Sequence, residues 1–345
     1  MKITVLIPTK GGKLREKLLS HTIKSYSNQP RCKCHLEILV VIDCKNCRNI
    51  DATKKAIDEM NNQFELIIDS IEYYGENPVW GGIKYLENKT DYILIQGDDE
   101  LPAKMKISHL EHYIEILSGS VLQLPVFERT TEPKVKPISV IGQVNEYGIT
   151  SNFDAIPRNI KLPFEIYNLA SNRIMPINIA LKHNLEEIKL IGGYGIETYL
   201  AFLLRENGIK MYFIPNKETA NLHLQAERSF WIGEIKENNT FASKEELENL
   251  ILLASKGGGE VDDTSIITKS LLRLSNYIYI AWKFNKPKLI HTMIKIFIEG
   301  KGYFNKLNKN QRIKIFKKAR EIITKKYGII EIENIMNYYE KKLIL

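Results

Sequence analysis

No run of about 18 apolar residues occurs in the 345-residue chain, so nothing in it reads as a membrane-spanning helix. Internal repeats and low-complexity tracts are also missing, which argues against a solenoid or a fibre. Cysteine is scarce and confined: Cys32, Cys34, Cys44 and Cys47 are the only four. C-x-C followed by C-x-x-C has the look of a zinc site, but LEILVVID (36–43) lies between the pairs and reads as a buried strand. About seven residues at roughly 3.3 Å each hold the pairs about 20 Å apart, too far for one ion. Free thiols are expected, or a local Cys44–Cys47 disulfide in an oxidising or hyperthermophilic setting. The opening MKITVLIPTKGG has an apolar run that stops at Pro8, too short for a secretory leader. A cytoplasmic protein is the expectation.

Apolar residues make up 44% of the chain and charged residues 26%, ordinary for a globular protein large enough to bury a substantial core. The net charge of +8 is unevenly placed. Residues 280–345 hold 16 Lys and Arg against 5 Glu, whereas the other 279 residues hold 33 basic and 36 acidic groups. The basic character belongs to the tail.

Through the first hundred residues, apolar runs alternate with helical patterns. KITVLIP (2–8), LEILVVID (36–43), FELIIDS (64–70) and DYILIQ (91–96) read as strands. Helices are expected at 13–28, at 51–63 opening on an aspartate cap, at 80–89 and at 101–117. SVLQLPVF (120–127), PISVIGQV (137–144) and KMYFIP (210–215) read as further strands, and ETYLAFLLRENG (197–208) as a helix ended by glycine. Such alternation, with continuously apolar strands, predicts a mostly parallel α/β sheet covered by helices on both faces. After about 240 every segment reads as helix, so the expected division is an α/β domain over 1–238 and a basic helical domain over 239–345.

Ligands of parallel sheets bind outside the carboxyl ends of the strands. There YILIQGDDELP runs straight into Asp98, Asp99 and Glu100. Adjacent carboxylates repel one another unless they are solvated or share a cation. One reading is a loop or helix cap; the other is a site for Mg²⁺ or Mn²⁺, which take carboxylate oxygens together with substrate phosphates. Asp43, and Thr9 with Gly11 and Gly12, end two other strands and would face the same crevice.

IPTKGG, the strand-end Asp43, IQGDDELP and GGYGIET…RENGIKMYFIP stand in the order seen in family 2 glycosyltransferases of the GT-A fold, which residues 1–225 resemble. The resemblance implies a Rossmann-like GT-A sheet and a metal-dependent, inverting transfer of sugar from a nucleotide-diphosphate sugar to an acceptor hydroxyl. It puts Thr9, Asp43, Trp80 and Gly82 at the nucleotide, Asp98 at the ribose or phosphate, and Asp99 on the metal, with His223 as a late metal or diphosphate contact. Glu197 falls where the general base stands. Gly97 replaces the first acid of the D-x-D pattern and Ile196 the first acid of the later pair. Arg228 and Trp231 fall where a flap over the donor is expected.

Each residue has a plainer role as well: helix-terminal carboxylate for Glu197, core residue for Trp80, core or surface histidine for His223. A catalytically inactive nucleotide-binding module and a sugar nucleotidyltransferase are the rival functions, the latter echoed only faintly by GGKLREK (11–17). The tail's lysines and arginines, interleaved with Ile and Phe, suit an anionic membrane, a dimer interface or a solvated basic face. A lipid-linked or protein acceptor fits the resemblance. No DNA-binding pattern or base-stacking motif is visible, so nucleic acid is not the expected partner.

Overall fold

The structure, a computed structural model, describes residues 1–30, 32–127, 162–166, 172–182, 195–224, 266–301 and 304–344, with a few isolated positions between them. Strand β1 (Lys2–Thr9) and helix α1 (Lys13–Ser27) open the chain, followed by β2 (His35–Asp43), α2 (Ile50–Gln63) and β3 (Ile67–Tyr73). Then come α3 (Pro78–Tyr85), β4 (Tyr92–Ile95), β5 (Glu100–Pro102) and α4 (Lys106–Ile116). Four short strands follow: β6 (Val121–Gln123), β7 (Val126–Phe127), β8 (Phe164–Glu165) and β9 (Arg173–Pro176). Helices α5 (Ile177–Leu181) and α6 (Ile196–Glu206) precede β10 (Met211–Phe213) and β11 (Asn221–His223). Four helices end the chain: α7 (Ile266–Lys283), α8 (Pro287–Ile298), α9 (Lys309–Glu321) and α10 (Glu333–Ile344).

Eight strands form one sheet in the order β3-β2-β1-β4-β9-β6-β10-β8, and β5, β11 and β7 form a small second sheet. The large sheet is mostly parallel, as expected of the GT-A architecture, but β9 runs antiparallel between β4 and β6. Alternation along the strands sorts the core into two layers. Ile3, Val5, Ile7, Ile38, Val40 and Ile42 face the α1, α2 and α4 side; Leu6, Leu39 and Val41 face α3 and α6. Gly82 lets α3 approach that second layer, since a Cβ there would stand 2.5 Å from Leu6 Cδ1 and 2.9 Å from Val41 Cγ2.

Several boundaries differ from the sequence expectation: β3 runs Ile67–Tyr73 rather than 64–70, and α3 runs Pro78–Tyr85 rather than 80–89. Helix α2 is capped by Asn49, whose side chain accepts from the Ala52 amide, rather than by Asp51, which lies in the first turn. Helix α4 starts at Lys106, not 101, because Glu100–Pro102 pair with Asn221–His223 in the second sheet. Pro125, which has no amide to donate, falls between β6 and β7. The expected strand at 137–144, the boundary near 238, and Arg228 and Trp231 lie outside the described residues.

The C-terminal helices share a core built on Ile278, Ile294, Phe297, Phe316 and Met336, which also takes in Tyr199 and Phe202 of α6. Phe284 meets the Tyr199 ring edge-on at 5.0 Å and stacks on Phe202 at 5.2 Å. The helical segment is therefore packed directly on the helix that carries Glu197. Among the described residues, no helix is long and apolar enough to cross a membrane.

Candidate functional site

The parallel register brings three strand ends together. Thr9 stands opposite Ile42, next to Asp43, and Leu6 stands opposite Ile95, the last residue of β4. Beyond Ile95 the chain turns. Asp98, Asp99 and Glu100 are 3%, 8% and 4% exposed, so the carboxylates are not a solvated loop.

Each acid is held differently. Asp98 accepts from the Thr9 hydroxyl at 2.6 Å through Oδ2 and from Arg15 Nη1 at 2.5 Å through Oδ1. Burial and the neighbouring Asp99 charge push the Asp98 carboxyl up to about 6, although Arg15 and Thr9 pull it down. Asp99 accepts the Leu224 amide at 2.8 Å on its main-chain carbonyl, which ties the acidic turn to the end of β11. Asp43 caps its own turn, with Oδ2 accepting from Asn46 Nδ2 at 2.8 Å.

Glu100 points into a buried polar network. Asn221 Nδ2 donates to Glu100 Oε2 at 2.5 Å, and Thr22 Oγ1 and Gln96 Nε2 donate to the Glu100 carbonyl at 2.9 and 2.8 Å. At its centre, Lys106 Nζ, fully buried, donates to Asn172 Oδ1 at 2.7 Å and also to Asn221 Oδ1. Burial lowers the Lys106 ammonium to about 7, with the Glu100 charge opposing. This network braces the acidic turn from behind, from residues 22, 96, 106, 172 and 221.

Glu197 sits in the first turn of α6, half-buried, after Gly195 in the left-handed region (φ 90°). Its charge acts on one buried and one partly buried group. One is Arg173, whose guanidinium is lowered by burial and raised by Glu197; the other is the Tyr277 phenol of α7, raised chiefly by burial. Tyr277 also bonds Thr198. Arg173 stands opposite Ile95 in the β4–β9 register, three positions before Asp98. Glu197 thus lies within electrostatic reach of Arg173, which stands at the end of β4 that leads into the acidic turn.

Of the other expected site residues, His223 lies in β11 opposite Glu100, with its side chain outside the described residues. Trp80 is core, 3% exposed, with Lys84 Nζ 5.5 Å from its ring centroid. Gly82 packs on β1 and β2 as above. Sequence reasoning missed Arg15, Lys106, Arg173 and Tyr277. Lys106 did leave a signal: it shares the i, i+4, i+8 stripe of α4 with the apolar Leu110 and Ile114.

The donor set at the turn suits a hard cation. The buried carboxylates of Asp98 and Asp99 stand side by side in the turn, oxygen ligands of the kind that hard cations take, and Asp99 is the one that the resemblance puts on the metal. Among the described residues no three-ligand cluster forms there, so an ion would need substrate phosphate oxygens to complete its shell.

No protein-family model matches the sequence, and neither does any curated protein. Solved structures do match. S. aureus TarS 1–349 in complex with UDP-GlcNAc is 14% identical with a TM-score of 0.50, covering 100% of this chain and 88% of that one. S. aureus TarS is 15% identical with a TM-score of 0.48, over 99% of this chain and 55% of that one. TarS 1–349 in complex with UDP is 13% identical with a TM-score of 0.45, over 87% and 92%. The first of these shows a shared fold.

Proposed function

We propose that the chain is a glycosyltransferase of the GT-A type, moving a sugar from a nucleotide-diphosphate donor to an acceptor hydroxyl with inversion. The observation that carries this reading is the buried Asp98–Asp99 turn beyond β4, tied to Thr9 and Arg15, with Arg173 at the same strand end and within reach of the Glu197 charge. A protein of the same fold has been crystallised with UDP-GlcNAc, which supports a nucleotide sugar as the ligand class.

In this reading Thr9 and Asp43 line the base pocket, Asp98 holds Arg15 in place toward the ribose and phosphates, and Trp80 and Gly82, packed in the core, seat α3 beside the nucleotide. Asp99, with His223 nearby, would hold Mn²⁺ or Mg²⁺. That ion supplies charge neutralisation for the departing diphosphate. Glu197 takes the proton of the attacking hydroxyl, because a neutral alcohol is a weak nucleophile. Arg173, buried at the end of β4, lies within electrostatic reach of Glu197. The acceptor is lipid-linked or protein-borne and the enzyme works at the cytoplasmic membrane surface, to which the basic tail is suited. The division near residue 238 follows the same reading.

Donor hydrolysis and transfer assayed with UDP-, GDP- and dTDP-sugars, with Mn²⁺ or with a chelator, tests this. Metal-dependent turnover of one donor, absent in Asp99→Ala, is expected. Nucleotide binding without any turnover would instead identify an inactive binding module.

A further inference from the structure

We propose that Cys32, Cys34 and Glu111 form a site for one thiophilic divalent cation of the zinc class, separate from the carboxylate crevice. The sulfur atoms of Cys32 and Cys34 lie 2.9 Å apart, and a Glu111 carboxylate oxygen completes a group whose ligand atoms all fall within 4.8 Å of one another. Tetrahedral zinc with bonds of about 2.3 Å to sulfur spaces two thiolates about 3.8 Å apart. The two sulfurs would have to separate by about 0.9 Å to take the ion.

The frame around the group is built. Between α1 and β2, Gln29 is tied to α4 and the residues before it: Gln29 Nε2 donates to the Ala103 carbonyl at 2.8 Å, and the Ile107 amide donates to Gln29 Oε1 at 3.2 Å. One turn further along α4, Glu111 Oε1 accepts the Cys34 amide at 2.5 Å. That bond fixes the carboxylate beside both sulfurs. Cys34 is buried, while Cys32 and Glu111 are half-buried, so solvent reaches part of the group. Two thiolates with one carboxylate suit zinc, cobalt or cadmium rather than the hard ions proposed for Asp99. Binding would release the two thiol protons and pin the α1–β2 connection to α4.

The site stands at the amino end of β2, whereas Asp43 stands at the carboxyl end. Eight residue steps of about 3.3 Å put it roughly 26 Å from the crevice. Cys44 and Cys47 lie at that far end and take no part; Cys47 faces Thr53 instead.

The test uses the full-length, fully reduced chain carrying Cys44→Ser and Cys47→Ser, titrated with Co²⁺ and then Zn²⁺. One Co²⁺ per chain with a thiolate charge-transfer band, displaced by one equivalent of Zn²⁺, is expected. Cys32→Ser or Cys34→Ser should abolish the band, and Glu111→Gln should weaken binding by about 10-fold or more, at least the effect of losing an outer ligand partner. Glu111→Gln keeps size and shape, and circular dichroism reports whether each variant is folded. The proposal is overturned by a folded, reduced chain that shows no band, by a band indifferent to these three residues, or by Cys32 and Cys34 behaving only as a disulfide-forming pair.

Discussion

The Thr9 hydroxyl donates to Oδ2 of Asp98 at 2.6 Å, joining the ends of two adjacent strands across 89 positions of sequence. Both groups are buried, and the bond ties the acidic turn to the end of β1. Thr9→Val keeps the shape and removes the donor, leaving a buried carboxylate oxygen unmet. A loss of about 1–3 kcal/mol in urea unfolding is expected. A variant as stable as wild type would show that water replaces the hydroxyl.

The raised Asp98 carboxyl makes stability depend on pH in a definite direction. Its folded value of about 6 lies above the ordinary 3.8, so the folded chain holds the proton more tightly than the unfolded one. This group's contribution is therefore most favourable below about pH 4 and declines as pH rises through 6. Asp98→Asn, neutral throughout, lacks that decline. Urea unfolding at pH 5 and pH 7.5 should show wild type losing ground to Asp98→Asn at the higher pH. The reverse order would mean that Arg15 outweighs burial.

Glu197 and Asp99 act on opposite sides of the proposed reaction, and their variants should fail differently. Glu197→Gln keeps size and hydrogen bonding but cannot take a proton. Turnover should fall by about 10²–10⁴ while the donor dissociation constant, read by calorimetry, stays near wild type. Asp99→Ala should weaken donor binding in Mn²⁺ and leave metal-free nucleotide binding little changed. Equal kinetic losses in both variants without any change in affinity would remove the division of roles.

The parallel half of the sheet was legible because β1, β2 and β4 are continuous apolar runs broken by strong helical periods. The acidic turn was legible because three carboxylates directly after a buried strand are unusual. By contrast β9 has only four residues, all buried, with neither alternation nor length to mark it. Yet it is the strand that delivers Arg173 to the β4 end. The brace around Glu100 was hidden for another reason: Asn172, Asn221 and Lys106 read as surface residues one at a time, and only their convergence satisfies them. The second sheet, pairing residues 100–102 with 221–223, rests on contacts too distant for any local pattern.

Phe284 tests whether the helical tail supports the site. It lies between Tyr199 and Phe202, on the helix whose first turn carries Glu197. Phe284→Ala should cost about 3–5 kcal/mol by leaving a cavity in the shared core. At temperatures where the variant is folded, turnover should fall more than donor affinity, since α6 bears the proposed base and not the nucleotide contacts. Unchanged turnover in a destabilised variant would make the tail a separate stabilising unit.

The tail's charge yields the last test. Lys314, Lys317, Lys318, Lys325 and Lys326 are exposed, and Ile330 nearby is 68% exposed. Arg320 is engaged by Glu340 at 2.7 Å and Lys317 approaches the same carboxylate at 4.0 Å, which leaves the others better placed to meet an anionic surface. Each basic residue at such a surface contributes about 1 kcal/mol, equivalent to about fivefold in binding. The chain should co-sediment with phosphatidylserine vesicles and not with phosphatidylcholine vesicles, and Lys314→Gln with Lys318→Gln should weaken this by about 25-fold. Raising the salt should release it, because exposed charges are screened within about 8 Å at physiological ionic strength. Binding that ignores both salt and these lysines would have to come from the apolar residues, and no binding at all would leave the basic face to solvent.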